Sequence, residues 1–426
     1  MKHRLIPFIA AALMLGATAC SVNPVTGERE LTIMSAEGEI AAGAENYLPS
    51  RQAQGGRYVV DPELELYVSN VMEKLAAVSD RPGLPYEIVV LNNDVPNAWA
   101  LPGGKMAINR GLLMELEDEA QLASVLGHEI VHAAARHSAQ QQTQNLLLQV
   151  GMVAAGVAAS QSDSDYAGLA MGAVGVGATA WQAQYSQSHE LEADRYGIEY
   201  MAKAGYDPQA AVELQETFVR LSEGQQSGWL EGFLSSHPPS QKRVARNREL
   251  ASQYNGGERN KAAYQRAIAQ LRKDQKAYEH YQKAQKTASE ENYSQALGLV
   301  EKAIQEQPRE NLFWELKGRL LLEQEKEDEA LKAFDRAVAA NPEFFRPLVY
   351  RGVLNKQKGN AQQARSDLKA SQDLLPTQLA SYHLGELAQQ SGDRQSAIDY
   401  YKQAAAGGGE LGQAAQAKLS QLGASQ

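Results

Sequence analysis

The chain has 426 residues, more than one hydrophobic core usually organises, which predicts two domains. Hydrophobic residues make up 43% and charged residues 22%, ordinary for globular protein. The formal net charge of −10 excludes broad electrostatic binding of nucleic acid, which needs clustered Lys and Arg.

Residues 1–19 read as a signal peptide. Met1-Lys2-His3-Arg4 is a positive start, Leu5 to Leu15 is an apolar run too short to span a bilayer, and Ala17-Thr18-Ala19 supplies small residues. Cys20, the only cysteine, follows at once, so no intrachain disulfide can form. A plain secretory signal would leave Cys20 as an accidental first residue. A lipoprotein signal would make it the acylated first residue of the mature protein, which explains its position, although Ala17 stands where such signals usually carry Leu. Ser21, a residue other than Asp, points to the outer membrane of a Gram-negative envelope. The chain is thus expected in the periplasm, held to the membrane by a lipid anchor.

Residues 20–35 are polar and turn-rich and read as a tether. Residues 36–48 and 61–78 carry helical patterning, the second opened by Asp61-Pro62. Tyr86 to Leu91 is a strand. Asn97 to Asn109 predicts a hairpin or two edge segments turning at Gly103-Gly104, and Pro102 favours the edge. A long helix is expected from Glu117 to about Gln140. Residues 145–180, rich in Ala, Gly, Val and Met, read as a buried small-residue helical hairpin, with a lid or membrane-facing plug as the alternative. Ser186 to Ala204 is a helix closed by Gly205, and Pro208 to Ser222 another.

From Lys261 a repeat is visible. Pro308, Pro342 and Pro376 recur every 34 residues, as do Ala296, Ala330 and Ala364, with Ala397 one residue short. Gly318 and Gly352 follow suit. That period, with small residues at helix crossings and Pro closing each pair, matches tetratricopeptide repeats, here three or four units from near residue 277 with a capping helix after Gly409. The expected fold is mainly α: a domain over 36–255 with a small sheet or edge hairpin, then an α-solenoid over 261–426.

His128-Glu129-Ile130-Val131-His132 carries the chemistry. On a helix, residues i and i+4 share a face, so both imidazoles can reach one ion. A catalytic zinc usually takes three protein ligands and keeps one position open. Glu129 stands where a carboxylate can take a proton from water activated by the metal. Glu190, in Ser188-His189-Glu190-Leu191-Glu192-Ala193-Asp194, is the best third ligand. Asp194, one turn on, can orient an imidazole from behind. Glu192 points off that face and reads as a solvated charge, His189 as a neighbour that does not ligate, and His137 as a surface residue or one that supports a ligand.

These motifs, with His237-Pro-Pro-Ser and Asn97-Ala-Trp-Ala-Leu-Pro-Gly-Gly, resemble the M48 peptidases, and most of all the periplasmic members that join such a domain to tetratricopeptide repeats. The resemblance implies one Zn²⁺ per chain, a gluzincin-type domain, and cleavage of misfolded or stalled outer-membrane proteins. In the resembling periplasmic group the histidine matching His237 can fill the metal's fourth position as a latch; stabilising the oxyanion is its alternative role. Asn97, Ala98, Trp99 and Ala100 would bind substrate as an extended strand through the backbone. The repeats would dock unfolded envelope proteins or the outer-membrane assembly machinery. The rival readings are a zinc-containing chaperone or assembly factor with little proteolysis, and a repeat-based adaptor. Retention of Glu129 beside an intact ligand pair argues against the first.

Overall fold

The computed structural model describes residues 20–146, 185–223 and 236–424. Residues 1–19, read above as a signal peptide, and residues 147–180 of the Ala/Gly-rich segment lie outside the described residues. The fold is mainly helical, and the chain divides into two compact units: residues up to Ser50 with Glu63–Ile268, and Arg51–Pro62 with Ala269–Gln426.

The first unit opens with a hairpin, β1 (Cys20–Val22) against β2 (Arg29–Leu31), in register Cys20↔Leu31. The segment read as a tether is therefore partly ordered sheet, and Asn23 at its turn is 1% exposed. Helix α1 (Ala36–Ala53) follows, then α2 (Pro62–Ala77). Pro62 takes the first helical position, Glu63 and Glu65 favour the positive helix start, and Leu64, Val68, Val71, Met72 and Leu75 bury one stripe. β3 (Glu87–Leu91), β4 (Ala98–Ala100) and β5 (Lys105–Asn109) form a sheet in the order β3-β5-β4. β3 runs parallel to β5 and β4 antiparallel, with Ala98 opposite Ile108, so β4 is an outer strand. Pro102 sits in the turn joining β4 to β5, where its missing N–H is harmless.

A short helix, α3 (Arg110–Glu115), leads to α4 (Glu119–Ala134), which is buried on nearly every side. Asp118 caps it, accepting from the Gln121 N–H at 3.0 Å. The expected run to Gln140 is broken. Arg136 adopts φ 66, and its guanidinium donates to the buried Glu39 carboxylate and to Met34 O. A second helix, α5, restarts at 137 after the turn at 135–136 and is described to 146. α6 (Gln187–Lys203) is capped by Ser186, which accepts from the His189 N–H, and α7 (Gln209–Glu223), α8 (Gln241–Ala251) and α9 (Lys261–Ala267) complete the unit.

α4 and α6 cross where both carry glycine. A Cβ on Gly127 would lie 3.1 Å from Gly197 O, and one on Gly197 would lie 3.0 Å from the His128 nitrogen. The two backbones touch at the residue that begins the His-Glu-x-x-His motif.

The second unit holds the repeats as four helix pairs: α10 (Ala269–Ser289) with α11 (Tyr293–Glu306), α12 (Asn311–Leu322) with α13 (Glu327–Ala340), α14 (Phe345–Gln357) with α15 (Ala361–Leu374), and α16 (Gln378–Gln390) with α17 (Arg394–Ala406). α18 (Gly409–Gln421) closes the array. Ala296, Ala330, Ala364 and Ala397 are fully buried at the crossings. Gly318, Gly352 and Gly385 lie so close to Phe334, Leu368 and Tyr401 that a Cβ would approach within 2.7 Å. Residues 51–62 belong with these repeats: the Gln52 amide donates to Glu343 O at 2.7 Å and accepts from the Phe345 N–H at 3.0 Å.

Because the α4–α6 crossing has no room for a methyl group, Gly197→Ala should cost about 1–3 kcal/mol. The check is the urea midpoint of the first unfolding transition; an unchanged midpoint would mean the crossing tolerates the added carbon.

Candidate metal centre

Helix α4 presents His128 and His132 on one face, α6 presents Glu190 and Asp194 on the face opposite, and His237 arrives just before α8. All five side chains are buried. His128 Nε2 and His132 Nε2 lie 3.1 Å apart. Glu190 reaches both, with Oε2 3.4 Å from His128 Nε2 and Oε1 3.4 Å from His132 Nε2. His237 Nδ1 completes the cluster at 3.2 Å from His128 Nε2 and 3.1 Å from Glu190 Oε1. Ligand atoms of these four residues all lie within 4.8 Å of one another.

This donor set fits a metal. Tetrahedral zinc with bonds of about 2.0–2.1 Å separates its ligand atoms by roughly 3.3 Å, the spacing found here. Two imidazole nitrogens and a carboxylate aimed at one point also need a cation between them. In the metal-free chain a proton plays that part. Burial would lower the His128 imidazole, but Glu190 and Asp194 outweigh it and push it up to about 10. Glu190 is held well below the usual carboxylate range: burial opposes this, and the charges of His237 and His128 prevail. His132, buried and beside other imidazoles, stays well below an ordinary histidine and is neutral.

The outer atoms are anchored. His128 Nδ1 lies 3.0 Å from Asp194 Oδ1. Arg243, on α8 beyond the Ser240 cap, grips Asp194 through Nε and Nη2, both at 2.7 Å, and reaches Glu190 Oε2 through Nη1 at 2.9 Å. Burial would raise the Asp194 carboxyl, yet Arg243 holds it at about 2. Glu129 stands apart from these ties. It is 1% exposed, neither oxygen has a hydrogen-bond partner, and His237 Nε2 lies 3.4 Å from its Oε1. Burial raises its carboxyl against the lowering charges of His237 and His128.

The sequence expectations meet this geometry unevenly. His128, Glu129, His132, Glu190, Asp194 and His237 come together. Ala98 to Ala100 form the outer strand β4, against which α4 packs, and Asn97 lies just before it, its carbonyl accepting from the Asn109 N–H. Glu192 is not a solvated charge: it lies 3.3 Å from His137 Nε2 and accepts from Asn23 Nδ2 at 2.9 Å. His137 is no surface residue but fully buried, with Nδ1 2.8 Å from His132 Nδ1, and His189 stacks on it at 4.3 Å. Sequence reasoning missed Arg243, whose only signal is its place one turn past the Ser240 cap, and Tyr185, which stacks on His132 at 3.8 Å.

Binding a metal must expel the His128 proton. At pH 7.5 zinc uptake should release close to one proton, and affinity should fall about tenfold per pH unit on acidification. Calorimetry in buffers of different ionisation enthalpy checks this, and no proton release would contradict it. Without metal the sign is the reverse: the imidazolium stabilises the fold fully below pH 6.5, and that contribution is lost as pH rises toward about 10.

Residues 62–251 match the family described as Peptidase family M48, and residues 281–343 and 380–406 match tetratricopeptide repeats. The chain is 29% identical over 264 residues to the beta-barrel assembly-enhancing protease of Escherichia coli, covering 59% of this chain and 53% of that protein. It is 31% identical over 198 residues to the putative beta-barrel assembly-enhancing protease of Vibrio cholerae, covering 46% and 40%. The match therefore spans about half or less of those bacterial relatives. With the mitochondrial metalloendopeptidase OMA1 of Schizosaccharomyces pombe it shares 33% identity over 256 residues, covering 58% of this chain and 73% of that protein. By its motifs, its buried His/Glu cluster and these matches, the chain belongs to peptidase family M48.

Proposed function

We propose that this chain is a zinc-dependent endopeptidase of the bacterial cell envelope that degrades misfolded or stalled envelope proteins. The observation that carries the reading is a buried carboxylate, Glu129, with no hydrogen bond and only His237 near it, beside a cluster built to hold one divalent ion. His128, His132 and Glu190 would hold one zinc per chain, which as a Lewis acid polarises a peptide carbonyl and brings the pKa of water toward ~7.

The protein's own groups do the rest. Glu129 has its accepting capacity unspent, and burial lifts its carboxyl toward working pH, so it can take a proton from water and return it to the leaving amine. Asp194, braced by Arg243, keeps His128 in the orientation that directs Nε2 inward. His237 faces both the metal ligands and Glu129, so one imidazole would reach a bound metal and the base together. It acts as a latch that must withdraw before substrate enters.

β4 offers the substrate a backbone. Its pairing with β5 runs through the Asn109 N–H to Asn97 O and the Leu101 N–H to Lys105 O, so alternation turns the polar groups of Ala98 and Ala100 outward. An extended chain can pair there without sequence preference, which suits unfolded substrates. The names of the bacterial relatives support an envelope role. An acylated Cys20 would begin the β1–β2 hairpin, where Val22, Leu31 and Ile33 are 54%, 41% and 56% exposed, an apolar surface suited to lie near an outer-membrane leaflet. Among the described residues no helix is long and apolar enough to cross a membrane. The repeats would dock substrates or the outer-membrane assembly machinery.

Cleavage of unfolded casein should stop with chelator and fall about 10²–10⁴-fold in Glu129→Gln with zinc retained. Chelator-insensitive cleavage, or equal cleavage by the variant, rejects the mechanism and leaves a chaperone. His237→Ala should raise basal cleavage, whereas loss of cleavage with zinc still bound would assign His237 to transition-state stabilisation instead. Ala98→Pro, which removes an outward N–H, should raise KM for casein several-fold with zinc content unchanged; an unaltered KM would place substrate elsewhere.

A further inference from the structure

We infer that His137, Glu192 and Asn23 form a relay that fixes the tautomer of His132, making the N-terminal hairpin part of the metal site. The inference rests on the zinc reading above and concerns groups that touch no substrate, so these are positioning residues.

The argument follows the protons. To offer the Nε2 lone pair to a metal, a neutral His132 must carry its proton on Nδ1. The atom facing Nδ1 is His137 Nδ1, at 2.8 Å, and it can accept only if His137 is protonated on Nε2 instead. His137 Nε2 stands 3.3 Å from Glu192 Oε1, a charge contact and not an aligned hydrogen bond, and beside a carboxylate, which can only accept, the proton is favoured on that nitrogen. Glu192 Oε1 is held in turn by Asn23 Nδ2 at 2.9 Å. The Asn23 amide cannot turn over, because its Oδ1 accepts from the backbone N–H groups of Val25 at 2.9 Å and Thr26 at 3.3 Å. Each orientation is thus set by a group able to play one role, from a backbone turn to a metal ligand.

His189 stacks on His137, and His137 and Asn23 are almost wholly buried, which limits the access of water to both side chains. The two imidazole ligands are therefore anchored differently: His128 directly to a carboxylate, His132 through a second imidazole. Asn23 lies three residues beyond Cys20, so whatever holds the hairpin's start also bears on the metal site.

The test measures zinc affinity by chelator competition and the His132 tautomer by imidazole ¹⁵N shifts of the metal-free full chain. His137→Leu, which removes the acceptor, should weaken zinc binding about 10–100-fold. His137→Asn, which can present Oδ1 where Nδ1 stands, should restore most of it. Asn23→Ala, in the N-terminal hairpin and away from α4 and α6, keeps the test alive if the His137 variants misfold, and should weaken binding in the same direction. Unchanged affinity in both His137→Leu and Asn23→Ala, or a His132 proton found on Nε2, overturns the relay alone. A parent chain that takes up no zinc overturns the metal reading beneath it.

Discussion

The convergence of His128 Nε2, His132 Nε2 and the Glu190 carboxylate within 3.1–3.4 Å is the constraint on which the first unit is built. Such a group of electron pairs repels itself unless a cation lies among them, so the site is stable only with a proton or a metal in place. The close approach is a backbone matter before it is a side-chain matter. Gly127 and Gly197 let α4 and α6 touch, and a side chain at either position would press on the backbone of the other helix where it carries these ligands.

Around that centre the charges fall into an ordered balance. Three of the acids on α6 have three tasks: Glu190 faces the ligands, Asp194 steadies His128, and Glu192 faces the imidazole behind His132. Arg243 touches two of the three: against the effect of burial it holds Asp194 ionised, while the charges of His237 and His128 do the same for Glu190. Glu129 receives no such partner. A base that must accept a proton during turnover is better left with its acceptors unsatisfied, and the energetic cost of that is borne by the packing around α4.

Much of this was legible in the chain because it depends on local period. The His128/His132 pair and the Glu190/Asp194 pair follow from helical spacing, and the repeats from a 34-residue period that needs no tertiary information. What failed depended on contacts between distant segments. Glu192 lies about 200° around the helix from Glu190 and so read as solvated. It meets His137 only because Arg136 breaks α4, with its guanidinium tied to Glu39 far earlier in the chain. The burial of Asn23 and the company Gln52 keeps with Glu343 are likewise invisible to patterning. His237 carried no helical signal at all and was legible only through resemblance.

The most direct test of this account is X-ray absorption at the zinc edge of the resting protein. It predicts a closed shell of four nitrogen and oxygen ligands, three of them imidazoles, from His128, His132, His237 and the Glu190 carboxylate. A spectrum with two imidazoles and bound water would contradict the latch, and a preparation free of zinc would contradict the metal centre itself.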